Sequence, residues 1–157
     1  MTQQLGQTTQ QPQMSPQTSM QQPGTLPQEY RTTLDAVAQA VEVCGWCADQ
    51  CIKSGDPNMI ECIRLCEDVV ELGESVLATV PRSSRYMTQI LQTFEQAAQE
   101  CAQECSRHQD AHCQECAAVL PQVVSATQQL SRQGQQMSGQ GMGGQQIRQS
   151  GNTQQGW

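Results

Sequence analysis

Apolar residues recur in alternating steps of three and four along four stretches of the chain. This spacing is typical of helices that carry one apolar stripe. The four predicted stripes are Tyr30, Leu34, Val37, Val41, Cys44, Cys47 or Ala48 and Cys51; Met59, Cys62, Cys66, Val69, Gly73, Val76 and Val80; Met87, Ile90, Phe94, Ala97, Cys101, Cys105 and His108; and Cys113, Cys116, Leu120, Val123, Thr127 and Leu130. We therefore expect four amphipathic helices.

Three short breaks with turn chemistry separate these helices. Residues 54–57 read Ser-Gly-Asp-Pro, which supplies a glycine stop, an Asp N-cap and a proline at the first helical position. Residues 80–84 contain a proline and a serine cap, and Asp110 is the predicted cap of the fourth helix. Pro121 should kink that helix or mark a boundary. Because short connections make sequential helices antiparallel, the predicted fold is all-α, an up-down-up-down four-helix bundle.

Glutamine divides the chain into three zones. Residues 1–27 and 132–157 are rich in Gln and nearly free of charge. Neither zone has the apolar spacing that would offset the entropy of ordering it, so we expect two disordered tails. The predicted bundle occupies residues 28–131.

Composition argues against several classes of partner. With a net charge of −7 there is no cationic field for a phosphate backbone, so we expect no nucleic acid partner. No run of 18 apolar residues occurs, so we expect no membrane span. The first 28 residues contain neither Lys nor Arg and no apolar stretch, which argues against a secretory signal and favours the cytoplasm.

All nine cysteines lie on the predicted stripes, in the half of each helix that adjoins the first or third break. In an antiparallel bundle these four half-helices meet at one end. Helical rise then orders the thiols into layers. Nearest the turns we expect Cys51, Cys105 and Cys113, then Cys47, Cys62, Cys101 and Cys116, and deepest Cys44 and Cys66.

Three further residues should lie close to the turns, at the mouth of this sulfur-lined half of the core: Met59, His108 and His112. The other half should be hydrocarbon. Its predicted members are Leu34, Val37, Val41, Val69, Val76, Ile90, Phe94, Leu120, Val123 and Leu130.

Several chemistries use clustered thiols. Buried free cysteine can act as a small hydrophobe, and the CX3C pairs at residues 62–66 and 101–105 match helical hairpins with two disulfides. The odd count and the reducing cytosol argue against disulfides. Four-cysteine zinc sites draw Cys-x-x-Cys knuckles from loops, and residues 44–51 do not have a ferredoxin spacing.

Cu(I) fits the pattern best. Soft thiolates select this ion, and residues three or four apart on a helix lie close enough to share it. One Cu(I) per thiolate leaves a neutral core, whereas zinc bound by four thiolates buries a net negative charge. A zinc or iron–sulfur protein and a disulfide-stapled interaction module remain the alternatives. The pattern offers no catalytic acid, base or nucleophile, so we expect no enzyme.

Residues 44–51 and 61–66, and the run 101–117 with its His-Cys-x-x-Cys, resemble the cytosolic four-helix-bundle copper storage proteins. The resemblance implies a homotetramer that stores several Cu(I) ions per chain along its core. The implied ligands are Cys44, Cys47, Cys51, Cys62, Cys66, Cys101, Cys105, Cys113 and Cys116. The implied metal access end contains His108, His112 and Met59. Such proteins often carry more cysteines, so we expect a smaller capacity here.

Overall fold

The computed structural model describes residues 24–139, and the side chains of residues 24–133. This part of the chain contains four α-helices: α1, Gln28–Ser54; α2, Ile60–Thr79; α3, Met87–Cys105; and α4, Ala111–Gly139. A short 3-10 helix, Pro57–Met59, precedes α2. Helices α1 and α3 each pack against both α2 and α4. The predicted four-helix bundle is confirmed, and none of the described helices has the length and hydrophobicity needed to cross a bilayer.

The first break has the predicted turn chemistry. Gly55 adopts a left-handed conformation with φ of 65°, and its N–H donates to the carbonyl of Ile52 at 3.2 Å. Asp56 then caps the 3-10 helix, because its carboxylate accepts the N–H of Asn58 at 2.9 Å. Glycine at this position avoids the steric cost that a side chain would meet at positive φ.

The other two breaks differ in how their helices begin. The Ser84 hydroxyl accepts the N–H of Tyr86 at 3.3 Å, but α3 starts after Tyr86 and has no side-chain cap. The predicted serine cap of this helix is therefore wrong, since the serine lies two residues before the N-cap position. Asp110 is placed as predicted, with its carbonyl accepting the N–H of Gln114 at 3.0 Å at the start of α4.

Pro121 lies inside α4, which continues through it, so the predicted alternative of a helix boundary is wrong. Its ring is on the exposed face of the helix. The helix runs to Gly139, beyond the predicted end of the bundle at residue 131. Most of both predicted tails, residues 1–23 and 140–157, lies outside the described residues.

Two predicted core stripes are rotated by one position. On α3, Leu91 and Ala98 are fully buried, whereas the predicted Ile90 and Ala97 are only half-buried. On α1, Ala40 is buried, and the predicted Leu34 and Val41 are half-buried. An apolar stripe is wide enough to hold both choices. The neighbouring helices decide which edge of the stripe faces the centre.

Gly73 of α2 allows three helices to approach closely. A Cβ at this position would lie 2.6 Å from Cγ2 of Val41, 3.4 Å from Cε2 of Phe94 and 3.6 Å from Cγ1 of Val37. The missing side chain therefore creates the space that Val41 occupies between α1 and α2. This contact lies in the hydrocarbon half of the core, next to the sulfur-lined half.

We expect Gly73→Ala to lower the free energy of unfolding of the reduced, metal-free protein by up to about 2 kcal/mol. Overpacking costs about 1–3 kcal/mol and exceeds the roughly 1 kcal/mol that alanine gains as a helix former. Gly45→Ala is the matched control, because its Cβ would meet only Cγ2 of Val70, at 3.9 Å. It should raise the stability by about 0.5–1 kcal/mol. Urea unfolding measures both changes, and shifts of the same sign would contradict this packing.

Candidate metal centre

Nine cysteines meet at the end of the bundle that holds the α1–α2 and α3–α4 connections. All nine are free thiols, and each has at most 1 % of its surface exposed. Cysteines enter this region from the last turns of α1 and α3 and from the first turns of α2 and α4. Because each sits on the buried stripe of its helix, their sulfur atoms face one another across the core.

Four of these cysteines form an outer group close to the connections: Cys47, Cys51, Cys62 and Cys113. Their Sγ atoms all lie within 4.8 Å of one another. The Sγ of Cys51 is 3.8 Å from that of Cys62 and 4.0 Å from that of Cys113. The Sγ of Cys47 is 3.9 Å from that of Cys62 and 3.8 Å from that of Cys113. Three helices contribute to this group.

An inner group lies deeper: Cys44, Cys66, Cys101 and Cys116. All four helices contribute one member, and their Sγ atoms again lie within 4.8 Å of one another. The Sγ atoms of Cys44 and Cys116 are 3.2 Å apart, and those of Cys66 and Cys101 are 3.6 Å apart. The ninth thiol, Cys105, lies between the groups, 3.5 Å from Cys62 and 3.8 Å from Cys101.

The layers therefore differ from those predicted. Cys105 was expected nearest the turns but lies between the two groups, and Cys101 and Cys116 belong with the deepest thiols. Both connections continue to turn beyond the regular helices, through the 3-10 helix Pro57–Met59 and through residues 106–108. These extra turns add length along the bundle axis between the ends of the helices and the tips of the connections. A depth estimated only from the number of residues does not include this length.

The three predicted access residues have different surroundings. His112 is half-buried, and its Nε2 lies 3.5 Å from the Sγ of Cys51. His108 instead directs its Nε2 to Oε1 of Glu104, at 3.1 Å. Met59 is buried in the same cluster as the cysteines. Among the described residues, His112 contacts a sulfur atom and His108 contacts a carboxylate, so we assign His112 to the mouth.

Glu104 was not singled out from the sequence. Its second carboxylate oxygen lies 2.8 Å from the guanidinium of Arg107, and the side-chain amide of Gln114 donates to the carbonyl of His108. These contacts hold the α3–α4 connection beside the mouth. The spacing of Glu104 and His108, one helical turn apart, is the signal that could have indicated the pair.

The outermost thiols hold their protons at neutral pH. Burial, together with the nearby Cys62, raises the pKa of Cys51 from 9.0 to about 11. Burial likewise raises the pKa of Cys113. Deeper in the core, the hydrogen bond with Cys101 raises the pKa of Cys66 and lowers that of Cys105. A cation that binds the sulfurs of Cys51, Cys66 and Cys113 must therefore displace protons.

Positive charge is kept out of this region. Every Lys and Arg between residues 24 and 133 is exposed. Lys53, for example, pairs with Asp49 at 2.5 Å on the surface and lies over the ring of Trp46. No cationic side chain in this part of the chain could offset a net negative metal–thiolate cluster in the core, and only neutral or nearly neutral clusters avoid a large desolvation cost.

Residues 26–132 match the sequence model of the copper storage protein family. The chain belongs to this family. The match covers α1, α2 and α3, α4 as far as residue 132, and all nine cysteines. It confirms the resemblance drawn from the cysteine motifs. No curated protein matches the sequence significantly.

Two solved structures of copper storage proteins share the fold. The Cu(I)-bound protein BsCsp3 has a TM-score of 0.63 and 20% identity, over 66% of this chain and 99% of that chain. The protein Ccsp from Streptomyces lividans, loaded with 10 copper equivalents, has a TM-score of 0.61 and 24% identity, over 66% and 84%. At these identities the likeness confirms the four-helix bundle alone.

The raised pKa of Cys51 predicts that the metal-free bundle loses stability in alkali. The unfolded thiol ionises near pH 9, whereas the folded thiol stays protonated to about pH 11. The folded state therefore binds more protons in this window, so this contribution to stability is complete below pH 9 and is lost towards pH 11. Urea midpoints measured across the window should fall for the wild type and fall less for Cys51→Ala. Equal slopes for the two proteins would contradict the assignment.

Proposed function

We propose that this chain binds several Cu(I) ions through the thiolates of its nine cysteines and stores or buffers them. One observation carries the proposal: nine free, buried thiols lie together in the core. Seven of them form a continuous series of sulfur contacts of 3.5–4.0 Å. The other two, Cys44 and Cys116, are 3.2 Å apart and lie within 4.8 Å of Cys66 and Cys101. Membership of the copper storage protein family supports it, as do the copper-bound states of BsCsp3 and Ccsp.

Charge favours Cu(I) as the cargo. A thiolate that replaces its proton with Cu(I) leaves the core with the same net charge as the protonated thiol. A soft ion that needs few ligands can also bind between two neighbouring sulfurs. It does not require an isolated tetrahedral site. The described Lys and Arg side chains are all exposed, and a neutral core needs none of them.

Zinc is the second candidate, because the outer group has a suitable geometry. Zn–S bonds of about 2.3 Å in a tetrahedron place sulfurs roughly 3.8 Å apart. Five of the six sulfur pairs in the outer group are 3.8–4.0 Å apart. Four thiolates would leave such a site with a charge of −2, at a cost of several kcal/mol when buried without a counter-ion. The iron–sulfur alternative meets the same charge problem. We therefore expect Cu(I) to displace zinc from the outer group.

Three further assignments complete the proposal. The protein acts as a store rather than as an enzyme, since the metal is its cargo. It resides in the cytoplasm, where nine unpaired thiols remain reduced. It assembles as a homotetramer, for which the exposed apolar side chains of Trp46, Ile52 and Ile60 offer contact surface. We expect no nucleic acid and no membrane partner.

Anaerobic titration of the reduced protein with Cu(I) tests the function. We expect several ions per chain, with roughly one proton released for each ion, because protonated thiols supply the ligands. Native mass spectrometry gives the stoichiometry and a pH-stat gives the protons. Cys44→Ala combined with Cys116→Ala should lower the capacity, because it removes two inner ligands.

Val69→Ala is the control for that variant, because Val69 is fully buried but offers no sulfur. It should keep the full capacity and lose only stability. Binding of a single ion, or retention of zinc in the presence of excess Cu(I), would contradict copper storage. Fewer than nine thiols in the denatured, isolated protein would favour the disulfide alternative.

The contact between His112 and Cys51 predicts that His112 assists metal uptake. We expect His112→Ala to slow Cu(I) uptake from a chelated donor several-fold while leaving the final capacity unchanged, since the histidine meets only the outermost thiol. His108→Ala is the comparison, because its ring is held by Glu104 and its effect on the rate should be smaller. Stopped-flow absorbance of the Cu(I)–thiolate bands follows both rates. A larger effect of His108→Ala would contradict this ranking.

A further inference from the structure

The sulfur contacts of the two thiols nearest the mouth converge on two residues. Cys51 and Cys113 contact each other at 4.0 Å, and Cys51 also contacts His112. In the described bundle, their remaining sulfur contacts of 4.0 Å or less end on two residues, Cys47 and Cys62. We name Cys51 and Cys113 the outermost pair, and Cys47 and Cys62 the gate pair.

The gate pair also contacts the deeper thiols. The Sγ of Cys62 is 3.5 Å from that of Cys105. The Sγ of Cys47 lies within 4.8 Å of those of Cys66, Cys105 and Cys116. The gate pair thus lies close both to the outermost pair and to the deeper thiols. The outermost pair adjoins the gate pair on one side only. We name the five remaining thiols the inner cysteines: Cys44, Cys66, Cys101, Cys105 and Cys116.

The rest of the core offers the inner cysteines no comparable route. Beyond them lies the hydrocarbon half, where Val69, Phe94 and Leu120 have no exposed surface. These side chains have no ligand atoms for a metal ion. All five inner cysteines are themselves fully buried, so direct contact with a donor in solution requires the helices to separate.

We propose that the gate pair carries the Cu(I) that moves between the outermost pair and the inner cysteines, and so divides the store into two pools. Ions on the outermost pair exchange quickly with donors and acceptors, and ions on the inner cysteines are retained. This inference rests on the proposed copper storage function and specifies how that store fills and empties.

Each transfer is a ligand exchange without a change of oxidation state. A bond forms between Cu(I) and the sulfur of a gate thiol as the bond to an outermost sulfur breaks. The proton of the gate thiol moves to the sulfur that the ion has left, so charge is conserved at every step. Overall, one proton leaves through the mouth for each Cu(I) that enters, and no oxidant or reductant is needed.

Two double variants with equal numbers of thiols test the proposal in the full-length protein. One removes the gate pair, Cys47→Ala with Cys62→Ala, and the control removes two inner cysteines, Cys44→Ala with Cys101→Ala. Each protein is mixed anaerobically with chelated Cu(I), and the filling of its sites is followed by stopped-flow absorbance and native mass spectrometry. The control should fill at the wild-type rate to a reduced capacity.

In the gate variant we expect a fast phase confined to the outermost pair and a second phase at least about ten-fold slower, because ions then reach the inner cysteines only through local opening of the bundle. Each single variant, Cys47→Ala or Cys62→Ala, should stay within about three-fold of the wild type, because the other gate thiol still connects the two sides. Circular dichroism checks that every variant keeps its helices. If the alanine pair does not fold, Cys47→Ser with Cys62→Ser keeps the volume and is held to the same criterion.

Filling of the gate variant at the rate of the control would overturn the two-pool proposal while leaving copper storage intact. A single variant as slow as the double would also overturn it, since the two thiols would then not be alternative routes. If the wild type and the control both fail to take up Cu(I), the proposed function itself is wrong. The three results are distinguishable in one series of measurements.

Discussion

The metal centre depends on the packing of buried thiols against one another at the centre of four helices. A protonated cysteine is small and apolar enough to occupy a buried stripe without a partner of opposite charge. Nine buried cysteines therefore fill half of the core. The same groups become soft anionic ligands once a metal ion replaces the proton, so one set of side chains serves both as packing and as binding site.

The hydrocarbon half of the core provides folding stability, and the sulfur-lined half provides the thiols. Phe94, Leu91 and Val37 fill the hydrocarbon half, which Gly73 draws together by allowing close contact. Burial of such side chains contributes about 1.5–3 kcal/mol each. The bundle can therefore form before any metal arrives, and the sulfur-lined half need not supply the folding energy. Exposure of all the described Lys and Arg residues keeps that half free of fixed positive charge.

The sequence predicted more about the fold than about the order of the sulfur atoms. Steps of three and four identified all four helices, because burial of one face imposes that period. The same period could not choose between Ile90 and Leu91, since both lie on the wide apolar stripe. It also misplaced Cys105, because residue counts do not include the axial length of the turns. Glu104 was missed, although its spacing of four residues from His108 is compatible with a contact between the two side chains.

The amino-acid order alone determined that four helices would form, that they would alternate in direction and that every cysteine would face inward. These properties follow from local periodicity and short connections, which act over a few residues. Only the tertiary structure decided that Cys47 and Cys62 join the outermost thiols to the deeper ones, and that His112 rather than His108 meets the sulfurs. Such neighbours depend on how helices rotate and shift against one another, and that is set by packing across the whole core.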